Sequence, residues 1–195
     1  MFKHIFCPFC LLVCLFCCRA NLSAEIVSVT ITWNKGLCDE GCERLLKRRL
    51  EGIDAVARVE VMPGQAVMYW KPGQKFDYLM VRRPTQRVGI GIEAFYVTVR
   101  GTVRKAGDKV TLTSLGDNTK FELTSAPAPR LGTYTAYSSP KLYQLRAEQL
   151  EAFQRAENDD AMVTATGFLL MPYRRQLTIV LENYQIEKEP DQPIQ

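Results

Sequence analysis

Polar and apolar residues alternate over 26–33, with Val27, Val29, Ile31 and Trp33 on one side and Ile26, Ser28, Thr30 and Thr32 on the other. That period of two predicts a half-buried strand. Asn34-Lys35-Gly36 predicts a turn, and over 38–50 the spacing becomes helical. Leu45, Leu46 and Leu50 share a face there, with Arg44, Lys47, Arg48 and Arg49 largely outside it. Gly52 is expected to stop this helix in the left-handed cap conformation. Strands follow over 55–62 and 65–71, separated by the turn Pro63-Gly64. After Pro72-Gly73, Phe76, Leu79 and Met80 predict a short second helix, which Pro84 is expected to end or kink. A strand from Ile90 onward would complete β-α-β-β-α-β, the ferredoxin-like plan.

The second half has a different rhythm. Strands are predicted over 95–104, 109–115 and 119–124, separated by the hairpin turns Gly107-Asp108 and Gly116-Asp117-Asn118. A Pro/Ser/Thr/Tyr-rich connection leads to Ser139-Pro140, an N-cap and first-turn proline for a helix over 141–157. Leu142, Leu145, Leu150 and Phe153 give that helix its apolar face, and strands over 161–171 and 175–186 follow. Three strands, a helix and two strands is the order of an OB-fold barrel. Gly101 and Gly167 fall within its first and fourth strands, where they permit sharp coiling. The expected fold is therefore α+β. A ferredoxin-like βαββαβ domain over 25–93 precedes a small OB-like β-barrel with one helix over 94–187, and a polar tail spans 188–195. The short spacing from Ile92 to Tyr96 leaves room for one long strand serving both halves.

The first residues change how the rest is read. Lys3, an apolar stretch over 5–18, Arg19 and the small pair Ser23-Ala24 have the layout of a secretory signal peptide over 1–24. Its apolar stretch falls short of the ~20 residues of a spanning helix. Cleavage is expected after Ala24, with Ala20 as the alternative. The localisation expected is secreted or periplasmic, without stable membrane insertion after cleavage; an uncleaved N-terminus would instead anchor the chain. Cleavage removes five of the seven cysteines (Cys7, Cys10, Cys14, Cys17, Cys18) and the sole histidine, His4. It also removes Lys3 and Arg19, leaving 23 basic against 21 acidic residues.

So small an excess of positive charge gives no electrostatic case for nucleic acid. Without histidine there is no imidazole for acid–base work or metal ligation. No paired-carboxylate motif or Gly-rich phosphate loop is present either. The chain is expected not to be an enzyme. The basic run Arg44, Lys47, Arg48 and Arg49, like Arg82-Arg83 and Arg174-Arg175, reads as solvated surface or as a partner-facing patch.

One constellation carries chemistry: Gly36-Leu37-Cys38-Asp39-Glu40-Gly41-Cys42, between the first strand and the first helix. The dipole at a helix N-terminus favours thiolate, which is both nucleophile and soft-metal ligand. Two such sulfurs can bind Cu(I) or Zn(II), or close into a disulfide. Met62 and Met68 are soft candidates for a further contact, although methionines in hairpin strands are more often core.

From this loop outward, over about 26–92, the chain resembles the heavy-metal-associated domains of copper chaperones, metal-transporting ATPases and mercury-binding periplasmic proteins. The Gly-hydrophobic-Cys opening, Leu50-Glu51-Gly52-Ile53, Val59-Glu60-Val61, Phe76 and Gly89 carry the resemblance. It implies a ferredoxin-like fold and one soft metal ion held by Cys38 and Cys42. The family spaces its cysteines Cys-x-x-Cys, whereas here three residues intervene. The extra residue rotates one sulfur about 100° further round a helix. Cys-x-x-x-Cys is also the spacing of Sco-like periplasmic copper chaperones, in which a distant histidine adds a third ligand. The leading expectation is an exported soft-metal-binding protein or metal chaperone, holding Cu(I) or another soft ion such as Zn(II). The alternative is a non-catalytic module of the cell envelope, binding an envelope protein partner, with the cysteines in a structural disulfide.

Overall fold

Strong β-formers in alternating runs, punctuated by glycine turns, build a protein dominated by sheet. In the computed structural model, residues 26–126, 143–170, 172–173 and 175–187 are described. The expected signal peptide, the tail and Ser139-Pro140 lie outside them. The strands are β1 (Ile26–Thr32), β2 (Val56–Met62), β3 (Gln65–Trp70), β4 (Ala94–Ala106), β5 (Lys109–Ser114), β6 (Lys120–Ser125), β7 (Met162–Leu170) and β8 (Leu177–Glu187). The helices are α1 (Glu40–Glu51), α2 (Tyr78–Arg87) and α3 (Ala147–Asn158), with a single 3-10 turn at Lys35–Leu37.

All eight strands belong to one sheet in the order β2-β3-β1-β4-β5-β6-β8-β7, and an additional β4–β7 pairing closes the last five into a barrel. Every pairing is antiparallel except β6–β8. This corrects the expected arrangement of a ferredoxin-like βαββαβ domain followed by a small OB-like barrel. Such a domain needs a last strand of its own, and Ile90–Glu93 form none. The thirteen-residue β4 serves instead, pairing with β1 through Ala94–Val99, with β7 through Tyr96–Gly101 and with β5 through Gly101–Ala106. The physical reason is continuity of alternation: Phe95, Val97, Val99, Gly101 and Val103 all point inward without a break at which a second unit could start.

One apolar core follows from that continuity. Leu46 and Leu50 of α1 and Val81 of α2 are fully buried with Val29, Ile31, Met68 and Val97. The same cluster continues into the barrel through Val99, Leu112, Phe121, Val163 and Ile179, and α3 adds Phe153, which packs on Tyr184 at 4.9 Å between ring centroids. On the outer side of the barrel seam, Thr98 and Thr166 share a hydrogen bond of 3.1 Å and Tyr96 meets Phe168 edge-on.

Local departures from the sequence pattern each have a cause. A register shift between Ile26 and Ser28 turns Ile26 inward and leaves Val27 exposed, so the alternation resumes only at Val29. Gly52 does end α1, but at φ −78°; its N–H donates to the Arg48 carbonyl and Ile53 N–H donates to that of Leu50, so the last carbonyls are satisfied without a left-handed turn. Pro84 does not end α2, which runs on to Arg87; Val81 and Thr85 on either side of it are fully buried, and the Thr85 hydroxyl donates back to the carbonyls of Val81 and Arg82. Helix α3 starts at Ala147 rather than 141 because Gln149 fixes its entry. The Gln149 side-chain oxygen accepts from Arg146 N–H at 2.9 Å and from the Ser125 hydroxyl at 2.6 Å, tying the first turn to the end of β6.

Barrel closure depends on two glycines. A Cβ on Gly101 would lie 2.1 Å from the Thr113 carbonyl oxygen, and one on Gly167 would lie 2.1 Å from that of Val180. Neighbouring strands could not approach so closely past any side chain. Gly101→Ala and Gly167→Ala are each expected to destabilise the fold by about 3 kcal/mol, the upper range for overpacking. Gly91→Ala, where a Cβ meets nothing within 4 Å, is expected to be near neutral. Urea denaturation of the three variants measures the difference.

Candidate functional site

The cysteine loop is shaped by backbone hydrogen bonds before any sulfur chemistry enters. Trp33 N–H donates to the Gly64 carbonyl at 3.0 Å, which fixes the end of β1 against the β2–β3 turn. Gly64 sits at φ +78°, and a Cβ there would press on the Trp33 carbonyl at 3.2 Å and on Lys35 at 3.3 Å. Asn34 then caps the 3-10 turn by accepting from Gly36 N–H at 2.9 Å. Cys38 follows in extended conformation (φ −142°), which aims its side chain back to the core, where it is buried. Asp39 is the N-cap of α1, its carboxylate accepting from Cys42 N–H at 2.8 Å. That bond places Cys42 in the first turn, half-buried and packed against the core cluster.

The structure brings the two predicted residues together: Cys38 and Cys42 form a disulfide with 5.3 Å between their Cα atoms. Their sulfurs therefore stitch the loop to the helix start. Met68 is fully buried within the core and Met62 is exposed at the end of β2. Among the described residues no group of three or more His, Cys, Asp or Glu side chains could hold a metal ion. Structural Zn(II) takes four ligands, so the two sulfurs do not fit that ion. Cu(I) would fit the pair as two thiolates, once the disulfide has been reduced by two electrons.

Around the pair, the basic face of α1 is solvated. Arg44 lies 3.8 Å from Glu40 and Lys47 lies 3.8 Å from Glu51, both across exposed i,i+4 spacings that contribute little. Leu37, next to Cys38, is 73% exposed, whereas Trp33 is buried with no hydrogen-bond partner for its indole N–H among the described residues. No helix among the described residues is long and apolar enough to cross a membrane.

Sequence reasoning missed a second constellation. Lys75, Lys120 and Arg175 line one cleft with Tyr78 and Tyr173, although nearly a hundred residues separate the first from the last. No local motif could reveal it, since its parts come from the approach to α2, the start of β6 and the β7–β8 hairpin.

No protein-family model, no curated protein and no solved structure matches the chain.

A five-residue loop constrains the unfolded chain modestly. The Cys38→Ser/Cys42→Ser variant is expected to lose about 2 kcal/mol by the loop-entropy relation. Asp39→Ala is expected to lose about 1 kcal/mol through the vacated cap. Thermal denaturation with and without reductant measures both: reductant should lower the melting temperature of the unsubstituted chain and leave the double serine variant unmoved.

Proposed function

We propose that this protein is a non-catalytic binding module exported to the cell envelope, in which Cys38–Cys42 is a structural disulfide. The observation that carries this reading is the closed disulfide between a buried and a half-buried cysteine, at a helix start already fixed by the Asp39 cap. Sulfurs so placed restrain the loop and offer no free nucleophile. Export rests on the layout of residues 1–24, which also supplies the oxidising compartment in which such a bond persists. The barrel carries a surface cleft, but fold alone assigns no ligand to it.

A second reading, a soft-metal binder or chaperone, is favoured by the position of the pair. Cys42 lies within the first turn of a twelve-residue helix, where the dipole favours negative charge, and the exposed Leu37 flanks Cys38. After reduction the two thiolates would hold Cu(I) between the loop and the helix.

Two measurements separate these readings. Thiol alkylation of protein taken from an oxidising compartment is expected to leave both cysteines unlabelled until reductant is added. Cu(I) titration of the freshly reduced chain against a competing chelator is expected to show no more retention than the Cys38→Ser/Cys42→Ser variant. One Cu(I) retained per reduced chain and lost from that variant would overturn the structural reading in favour of the metal one.

A further inference from the structure

A cleft of about 470 Å³ lies between the start of α2 and the β5–β6 and β7–β8 connections of the barrel. Its charge is lopsided. Lys75, Lys120 and Arg175 line it against a single carboxylate, Asp77, whose Oδ1 is already engaged by Leu79 N–H at 2.9 Å. None of the three cations forms an ion pair with a described residue. A recess lined by one sign of charge concentrates the field and draws the opposite sign. The Asp77 carboxylate caps the start of α2 and offsets the dipole there, so the positive potential comes from the three cationic side chains.

The walls supply flat apolar surface beside the charge. Tyr173 is 67% exposed and Leu79 is 40% exposed, while Tyr78 is held in place by a tilted stack on Phe95 at 5.0 Å. An exposed tyrosine ring accepts an apolar face and keeps its hydroxyl for hydrogen bonding. Cations spaced around an open aromatic suit a ligand that alternates anionic groups with ring faces. The near-balanced charge of the chain as a whole argues against a long-range field for nucleic acid, and favours recognition confined to this recess.

We propose that the cleft binds an acidic oligosaccharide, with sulfate or carboxylate groups on Lys75, Lys120 and Arg175 and a sugar ring laid on Tyr173. Arg175 can take an oxyanion through two parallel N–H donors, whereas the two lysines act as point charges around it. This deepens the binding-module reading and rests on it. Copper uptake at Cys38 and Cys42 would remove that reading while leaving the sugar measurement to be judged by itself.

The test is a calorimetric titration of the full chain with two probes at low salt, a heparin-derived hexasaccharide and an oligogalacturonate of similar length. At least one is expected to bind, and the one that binds more tightly identifies the acid as sulfate or carboxylate. Lys120→Glu/Arg175→Glu is expected to weaken that binding at least tenfold. Tyr173→Ala is expected to weaken it severalfold without changing its salt dependence. Arg48→Glu/Arg49→Glu, on the exposed face of α1 and outside the cleft, makes the same charge change and is expected to leave binding within a factor of two. Circular dichroism checks that the substituted chains keep their fold. Absence of binding to both sugars would overturn the proposal, as would equal weakening by the α1 variant or tighter binding of an oligothymidylate than of either sugar.

Discussion

The structure depends on the close approach of strand backbones at Gly101 and Gly167. Where each glycine passes its neighbour, a carbonyl oxygen occupies the place a Cβ would take. These contacts let the strands coil tightly enough for β4 to pair with β5 and β7 at once, which removes the open edges that a flat five-stranded sheet would leave exposed. The rest follows from β4 being one unbroken strand. Its first half is the edge onto which β1 docks, so α1, α2 and the cysteine loop are held to the barrel by backbone hydrogen bonds rather than by a linker. A domain interface made of side chains can slide, whereas a shared ladder cannot shift register without moving every inward side chain to the other face.

That constraint reaches the disulfide through β1. With β1 paired to β3 on one side and β4 on the other, its exit at Trp33 has no freedom. Gly64 then closes against the Trp33 carbonyl and the base of the loop. The chain has six residues, from Asn34 to Asp39, in which to leave the sheet and start α1. Two side-chain caps, Asn34 and Asp39, absorb the free N–H groups of that short path. The cysteines fall where the path bends inward, and their link adds to an already specified geometry. This is why its loss is a matter of a few kcal/mol rather than of the fold.

Much of this was legible in the sequence, for identifiable reasons. Turns signalled by Gly64 and Gly107 lie close to where the pattern puts them, because positive φ at those positions is a property of the residue itself. The loop pairing of Cys38 and Cys42 was legible because four residues on the chain also mean proximity in space. What failed was anything decided by distant parts. Ile26 rather than Val27 faces the core because β4, seventy residues away, imposes a register shift. Pro84 lies within a helix because Val81 and Thr85, on either side of it, are held fully buried by packing. The ferredoxin-like plan fails because its last strand is the shared β4, and the gap from Ile92 to Tyr96 reads equally well as a boundary or as the approach to such a strand. Local pattern has no term for which sheet a strand joins.

The cleft illustrates the same limit from the side of function. Lys75, Lys120 and Arg175 are unremarkable by sequence: one precedes a helix, one opens a strand and one sits in a hairpin. They share a site because β4 fixes the helical layer against the barrel, so that the start of α2 meets the β5–β6 and β7–β8 turns. Helix α1, whose start the disulfide ties to the loop, packs on α2, whose start lines the cleft. The disulfide spans four residues of the chain and constrains the unfolded state more than it shapes α2. Redox chemistry at Cys38 and Cys42 therefore acts on the stability of the loop, while recognition in the cleft depends on β4 holding its two walls together. The two can be separated experimentally because the physical constraints behind them are different.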